Sequence, residues 1–300
     1  MGGMRKAVIA LCTLALVAAL PSSASAWGFT AHRYIMRRAI DLLPPPLKPF
    51  FERFRDELIV RVVDPDMWRN AGWDDDPNHF VDLGDPLIGP PPFAGLPREY
   101  GAAIEKFGMR DMKRIGFLPW REAEEFGNLR RAFEGFSKGN AYGTTDTVLF
   151  AAVASHYIQD AHQPFHATNN YNGQLTGNDG IHARFERDLI ERFETRLTVN
   201  PGPPTAITNP RDASFAILLA SHPLVEVILK ADRDALAGKS AYDAEYFEKF
   251  FVAVRPTLER QLAASITATA GIIVGAWEQA GKPDVKTDDP RPLERVRPAR

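Results

Sequence analysis

The chain has 300 residues, of which 45% are hydrophobic and 25% are charged, and its formal net charge is −2. This is the composition of an ordinary globular protein, and the length suits one large domain or two small ones. The near-neutral charge gives no electrostatic reason to expect binding to duplex DNA, because proteins that bind it usually carry a strongly basic face. It leaves open an enzyme that handles phosphates through metal ions.

Residues 1–26 have the features of a signal peptide. A basic start at Arg5 and Lys6 precedes an apolar run, which ends in a small-residue cleavage signal at Ala26. The apolar run is too short to span a membrane, so no transmembrane segment is predicted. Cys12 is the only cysteine and lies inside this segment, so the mature chain has no disulfide. We therefore expect an exported protein, periplasmic or secreted, that depends for its stability on core packing, with or without bound metal.

Helical periodicity recurs along the rest of the chain and predicts an all-α fold, a single multi-helix domain over residues 27–280 with long ordered loops. The first helix is expected to have Thr30 as its N-cap and to stop at the prolines from Pro44 onwards. Residues 64–101 are rich in Pro, Gly and Asp and are predicted to form a long ordered loop. The charged, Pro-rich residues 281–300 predict a disordered tail. The predicted helices cover residues 30–43, 47–63, 99–116, 121–136, 144–162, 180–197, 211–236 and 257–281.

The most apolar of these helices, residues 144–162, carries several potential metal ligands. His156 and Asp160 are four residues apart, so both project from one face of the helix. Pro164 should end or kink the helix and send His166 in a new direction. This segment can therefore offer two ligands to one ion and a third ligand to a neighbouring ion.

A second helix repeats the same spacing with His182 and Glu186. A single pair of this kind is more often a salt bridge or a capping pair than a metal site. Two pairs, together with His166, favour a polynuclear metal site. Nitrogen and oxygen ligands without cysteine suit zinc.

Further ligands can be sought outside these two helices. His79 lies in a loop rich in Pro and Asp and is exposed enough to bind metal, whereas most of the surrounding acids are expected to be solvated. Signal cleavage would give Trp27 a free amino group beside His32, a possible ligand pair. A buried anchor at the start of a helix is an equally good interpretation of Trp27. His162 is expected to contact one of the metal-binding residues or to lie at the surface. His222 precedes a proline and is expected to be structural.

These residues together resemble a known family. The pattern Trp-x4-His at the mature N-terminus, a loop aspartate and histidine, then H-x3-D-x5-H and H-x3-E is similar to the motifs of the zinc-dependent phospholipase C and single-strand-specific nuclease superfamily. The resemblance covers Trp27 to Glu186, and the rest of the chain is compatible with it but unspecific. It implies an all-helical domain around a trinuclear zinc cleft.

The resemblance implies three Zn²⁺ ions and a set of ligands for each. The sets are a loop aspartate with His79, His156 and Asp160; the amino group and carbonyl of Trp27 with His32 and the bridging Asp160; and His166, His182 and Glu186. Asp66 is preferred as the loop aspartate because Asp66 and Arg69 match the Asp-x2-Arg pattern of the nuclease branch. Asp64 is the alternative, since its distance to the following histidine fits the family better.

The resemblance also implies a reaction, the hydrolysis of phosphodiester bonds by metal-activated hydroxide. Two close zinc ions, one of them held by Asp66, would activate water, while the third ion and Arg69 would neutralise charge on phosphate oxygens. Phe80 and Asp82 match residues that stack on and hydrogen-bond a flipped-out base in the nuclease branch. The implied partner is single-stranded nucleic acid or a phospholipid headgroup, and no protein partner is implied.

The substrate class remains open between the branches. The Trp-to-His spacing, the HFVD sequence and Arg69 favour single-strand nuclease activity. Glu186, where nucleases more often have aspartate, and the lack of cysteine favour phospholipase C, although Met67 stands where that branch has tyrosine. An exported zinc-binding protein without catalysis is a third possibility. That possibility predicts a missing ligand, and the sequence lacks none.

Overall fold

The computed structural model describes residues 27–287 and confirms the all-α prediction, since these residues contain no β-strand. The predicted signal peptide and residues 288–300 of the predicted tail lie outside the described residues. The helices are Phe29–Leu42 (α1), Lys48–Arg53 (α2), Arg55–Arg61 (α3), Asp64–Asn70 (α4), Tyr100–Ile115 (α5), Leu118–Ser137 (α6), Gly143–Ala161 (α7), Ile181–Ala183 continuing through Arg184–Asp188 and Leu189–Phe193 (α8), Pro210–Ser221 (α9), Leu224–Leu236 (α10) and Ala244–Gln279 (α11). Short 3₁₀ turns lie at Asp76–Asn78, Pro164–Ala167 and Glu194–Arg196.

Helix α7 lies at the centre of the fold. It packs against α3, α6, α9 and α11, and every residue from Ala151 to Ala161 is buried. An apolar sequence with no polar face is what a helix needs when neighbours cover all its sides. The polar groups that it carries are therefore held in the protein interior.

Several helix boundaries differ from the sequence prediction. Helix α1 begins at Phe29 with Gly28 as N-cap, because the Gly28 carbonyl accepts from the Ala31 amide, so the prediction of Thr30 as N-cap was wrong. The predicted second helix is divided into α2 and α3 at Phe54. The helix predicted over residues 211–236 is divided where Pro223 follows His222. Proline has no amide hydrogen, so it begins a new helix more readily than it continues one.

The segment 64–101 is a loop only in part. Its first seven residues form α4, with Pro65 in the first turn, where its missing amide hydrogen costs nothing. The later part packs as a loop onto a second apolar cluster, in which Ile88, Phe93 and Leu96 meet Ile115 and other buried side chains. This loop therefore covers part of the core next to α5 and α9.

Among the described residues, Pro210–Leu236 has the length and apolar character of a membrane span. Length and composition alone are weak support for a span, because core helices have the same character. In the structure the segment is divided into α9 and α10, and α9 buries Phe215 and Leu218 against the second apolar cluster.

Residues 281–287 continue beyond α11 without helix. The Trp277 indole donates to the Pro283 carbonyl at 2.9 Å, and Val285 is buried. The first residues of the predicted tail are thus held against the end of α11.

Candidate metal centre

Asp160 lies at the centre of a fully buried group of histidines. Its Oδ2 is 2.9 Å from His79 Nδ1 and 3.2 Å from His156 Nε2. Its Oδ1 lies 3.3 Å from His32 Nε2. The two oxygens of one carboxylate thus face two sets of imidazoles, which is the arrangement that a carboxylate bridging two cations needs.

Three groups of side chains bring potential ligand atoms within 4.8 Å of one another. Each group is buried and combines histidine with at least one carboxylate. The groups are His32, His156 and Asp160; Asp66, His79 and His156; and His166, His182 and Glu186. They unite side chains from α1, α4, α7, α8, the 3₁₀ turn Pro164–Ala167 and the residue that follows the turn Asp76–Asn78, so only the complete fold assembles them.

The third group depends on local distortions of the helices. Helix α7 ends at Ala161, and Pro164 begins a 3₁₀ turn that carries His166. Glu186 lies in a π-helical stretch of α8, a distortion often found at functional sites. Its Oε2 is 2.9 Å from His182 Nε2 and accepts from the Gln163 amide at 2.8 Å.

Several buried atoms of these groups have no hydrogen-bond partner within residues 27–287. These atoms are both Asp66 carboxylate oxygens, Asp160 Oδ1, His32 Nε2 and both ring nitrogens of His182. Some of them lie at ion-pair distance from another side chain, as Asp160 Oδ1 does from His32 Nε2, but without the geometry of a hydrogen bond. A polar atom buried without a partner costs free energy, so native proteins rarely keep one without a reason. Cations of zinc size would satisfy these atoms, so the donor set fits the expected ions.

The opposite ring nitrogens of the histidines are already engaged. His79 Nε2 lies 3.1 Å from Asp75 Oδ2, His32 Nδ1 donates to Gln159 Oε1 at 2.7 Å, and His156 Nδ1 donates to the Val62 carbonyl at 2.8 Å. His166 Nδ1 donates to the His79 carbonyl at 2.6 Å. Partners of this kind fix the tautomer of a metal-binding histidine and aim its free nitrogen.

The pKa of His79, beside Asp160, is shifted in the opposite direction from the pKa values of His166 and His182 in the third group. Burial lowers the pKa of His79, but hydrogen bonds to Asp160 and Asp75 outweigh burial and raise it to about 9. Burial lowers the pKa of both His166 and His182 to about 3, so these rings are neutral, as metal ligands must be. A metal ion that binds beside Asp160 would have to displace a proton from His79.

The structure brings Asp66 into the centre and leaves Asp64 outside it. Asp66 is fully buried and grouped with His79, whereas Asp64 is partly exposed and lies 3.4 Å from Arg61. Both residues belong to the first turn of α4, where they point in different directions.

Trp27 is a buried anchor in the described chain. Its indole donates to the Gln159 carbonyl at 2.8 Å and its ring contacts Phe185. This contact holds the start of the described chain against α7, one residue from Asp160. The cleavage that would free its amino group follows Ala26, which lies outside the described residues.

A cleft of about 700 Å³ opens above the centre. Arg69, Phe80 and Asp82, three residues expected to bind substrate or phosphate, line it together with His79. Arg69 keeps its Nε and Nη2 without hydrogen-bond partners within residues 27–287, and Nη2 lies 3.2 Å from Asp66 Oδ1. Burial, and then Asp85, raises the pKa of Asp82 to about 8.

The backbone around Phe80 and Asp82 is held on both sides. The Val81 amide donates to the His166 carbonyl and the Asp82 amide donates to the Ile115 carbonyl. Gly116 packs so closely that a Cβ there would lie 2.1 Å from the Phe80 carbonyl oxygen. The loop therefore presents both side chains to the cleft from a fixed backbone.

The two remaining histidines considered above lie outside these groups. His162 is buried, and its Nδ1 donates to the Ile158 carbonyl. Of the two positions expected for His162, the one at the surface was therefore wrong. His222 donates to the Ala167 carbonyl at 2.7 Å, a structural contact as expected.

The comparison with known proteins finds no family model and no curated protein that matches this chain.

Proposed function

We propose that this protein is an exported zinc-dependent phosphodiesterase with a preference for single-stranded nucleic acid. The observation that carries the proposal is the set of three buried ligand groups around Asp160, beneath a cleft lined by Arg69. Their nitrogen and oxygen atoms suit zinc, and the unpartnered atoms among them call for cations.

Bound zinc would supply a Lewis acid and a hydroxide at neutral pH. The chain's own groups would position the substrate. Arg69 lines the cleft with a guanidinium that is ion-paired with Asp66 and Asp76, and this guanidinium can bind the non-bridging oxygens of a phosphate. Asp75, by holding His79 Nε2, would keep His79 Nδ1 directed at the centre.

The lining of the cleft favours nucleic acid over a phospholipid headgroup. Aromatic rings at Phe80, Trp73 and Tyr171 line the cleft together with the cations of Lys113 and Arg114. Aromatic platforms combined with basic groups are typical of sites that bind single strands. Asp82, with its raised pKa, can donate a hydrogen bond to a base acceptor in its protonated form.

The direct test measures zinc content and hydrolysis for the mature chain beginning at Trp27. We expect three zinc ions per chain and cleavage of single-stranded DNA or RNA that a chelator abolishes and zinc restores. Single-stranded DNA, duplex DNA, RNA and phosphatidylcholine should be compared side by side. Cleavage of phosphatidylcholine alone would assign the phospholipase C activity. Full zinc content without hydrolysis of any diester would leave a zinc-binding protein.

A second test concerns the amino group of Trp27. One glycine added before Trp27 should lower both zinc content and activity, because the added peptide bond removes the basic amine. The matched control is a chain with the same glycine inserted after Lys286, far along the sequence at the other terminus. Equal activity of the extended and mature chains would exclude the amine as a ligand.

A further inference from the structure

Two tryptophans form a stacked pair at the rim of the metal cleft. The ring centroids of Trp68 and Trp73 are 5.8 Å apart and their planes differ by 14°. Trp73 is 64% exposed, while Trp68 is partly buried beneath it. Trp73 lines the metal cleft and also a neighbouring cavity of about 350 Å³, so it separates the two.

The backbone explains why these two rings meet. Gly72 follows the end of α4 with φ of +85°, its amide donates to the Arg69 carbonyl, and the Trp73 amide donates to the Trp68 carbonyl. This is a Schellman motif, in which the residue after the glycine packs on the helix's last turn. Any apolar side chain at position 73 would satisfy that contact, so the motif accounts for the pairing but not for an exposed indole.

The pairing leaves one flat face of Trp73 open beside the cleft. Trp68 supports the other face, so the ring is held in place before any ligand arrives. A side chain fixed in its bound orientation loses little entropy on binding. Arg69, in the same turn of the chain, directs guanidinium donors towards the metal centre.

We propose that Trp73, supported by Trp68, is a stacking platform for a nucleobase of a single-stranded nucleic acid whose phosphate lies at the metal centre. This inference rests on the proposed function and deepens it. The platform is separate from Phe80 and Asp82, and it would hold a base on the Trp73 side of the cleft. Stacking on an indole is available to every base, so this position adds affinity without sequence preference.

A membrane surface is the alternative ligand for an exposed tryptophan, and the neighbouring charges disfavour it. Asp74 and Asp76 flank the Trp73 turn and are both exposed. Insertion of the indole among lipid headgroups would bring these carboxylates out of water at considerable cost. A base that stacks on the open face leaves them in solvent, where Asp74 pairs with Lys113.

Two substitutions separate stacking from the structural contact. Trp73→Leu keeps an apolar side chain on Trp68 but removes the flat ring, whereas Trp73→Phe keeps a smaller ring. The matched control is Tyr142→Leu, which removes an exposed aromatic ring at the start of α7, about 21 Å along the helix from His156. All proteins are zinc-loaded, and their thermal unfolding is compared first.

The readouts are KM for a single-stranded 12-mer, KM for bis(4-nitrophenyl) phosphate, and the Kd of a labelled phosphorothioate oligothymidylate. For Trp73→Leu we expect about a tenfold increase in Kd and in KM for the 12-mer. Its effect on KM for the small diester should be several-fold smaller. Trp73→Phe should recover most of the affinity, and Tyr142→Leu should match the wild type.

The outcomes distinguish this proposal from the proposed function. If the wild type cleaves the 12-mer and Trp73→Leu binds it equally well, the platform is overturned and the phosphodiesterase stands. If no diester is cleaved but oligothymidylate binding still depends on the ring, the platform stands and the catalytic proposal fails. No binding of the oligonucleotide by the wild type, or loss of sedimentation with phosphatidylcholine vesicles in Trp73→Leu, overturns the platform.

Discussion

Two buried polar clusters of this protein differ in how far their atoms are satisfied. The first is the candidate metal centre around Asp160. The second joins Arg184 of α8 to Asp232 of α10, where Arg184 Nη2 is 3.0 Å from Asp232 Oδ1. Asn178 donates to Asp232 Oδ2, and the Tyr246 hydroxyl donates to Asp232 Oδ1.

The difference lies in their unpartnered atoms. Arg184 and Asp232 have no unpaired side-chain atom within residues 27–287, whereas the centre around Asp160 has several. A buried charge pair with all its hydrogen bonds made is complete as it stands. Buried oxygens and nitrogens without hydrogen bonds call for an explanation, and a bound cation is one. Satisfaction of hydrogen bonds, rather than burial or charge, thus distinguishes the cluster around Arg184 and Asp232 from the candidate metal centre.

Substitution of the shared carboxylate should have the largest effect. Asp160→Asn keeps the size of the side chain but removes the charge that faces both sets of histidines. We expect the zinc content to fall by at least one ion per chain and hydrolysis to fall by more than the roughly 10–100-fold typical of outer partners of a metal site. Metal analysis and diester hydrolysis measure this. An unchanged zinc content would remove Asp160 from the ligand set.

At the cluster around Arg184 and Asp232, a substitution should lower stability and leave the zinc content unchanged. Asp232→Ala leaves the Arg184 guanidinium buried without its partner, which should cost about 3–5 kcal/mol of unfolding free energy. The zinc content of the folded variant should not change. Urea unfolding followed with and without a chelator separates the two effects, because the chelator should destabilise wild type and variant alike. Loss of zinc in this variant would contradict the division into two clusters.

A substitution of Asp75 tests how far zinc binding depends on residues that hydrogen-bond the metal-binding histidines. Asp75→Asn weakens the hold on His79 Nε2, and we expect roughly 10–100-fold weaker zinc affinity. The matched control is Tyr157→Phe, which removes a hydroxyl donor to the same carboxylate and leaves the His79 contact in place. Competition with a zinc-binding dye gives both affinities. Equal losses in the two variants would assign Asp75 to packing alone.

Much of the fold and of the centre follows from periodicity and spacing. The apolar pattern predicts a buried α7, and the four-residue spacings place His156 with Asp160 and His182 with Glu186, as the structure shows. These are local relations within one helix, which sequence spacing determines. The ions and the reaction stay predictions.

The partners of the ligands could not be predicted, because they come from distant parts of the chain. Gln159 accepts a hydrogen bond from His32, which is 127 residues away in the sequence. Gln163 donates to Glu186, which is 23 residues away. Asp75 had a local signal that was missed, since it precedes His79 by the same four residues as the other pairs. The turn at Gly72 that stacks Trp73 on Trp68 also ends a helix where only a loop was expected.

The effect expected at Asp82, which belongs to neither cluster, depends on pH. Its folded pKa is raised to about 8 by burial and then by Asp85, while an unfolded aspartate has a pKa of about 3.9. The folded protein therefore binds one more proton between these values, so the Asp82 contribution to stability is present below about pH 4 and is lost progressively up to about pH 8.

Asp82→Asn cannot ionise, so its stability relative to the wild type should increase from pH 5 to pH 8 and then level off. Urea midpoints of both proteins at pH 5, 7 and 9 measure the difference, and the titration of shared groups cancels in it. Parallel curves would mean that Asp82 ionises normally. A carboxyl group that stays protonated at neutral pH can donate to a base in the cleft, so a flat difference would also remove that role from Asp82.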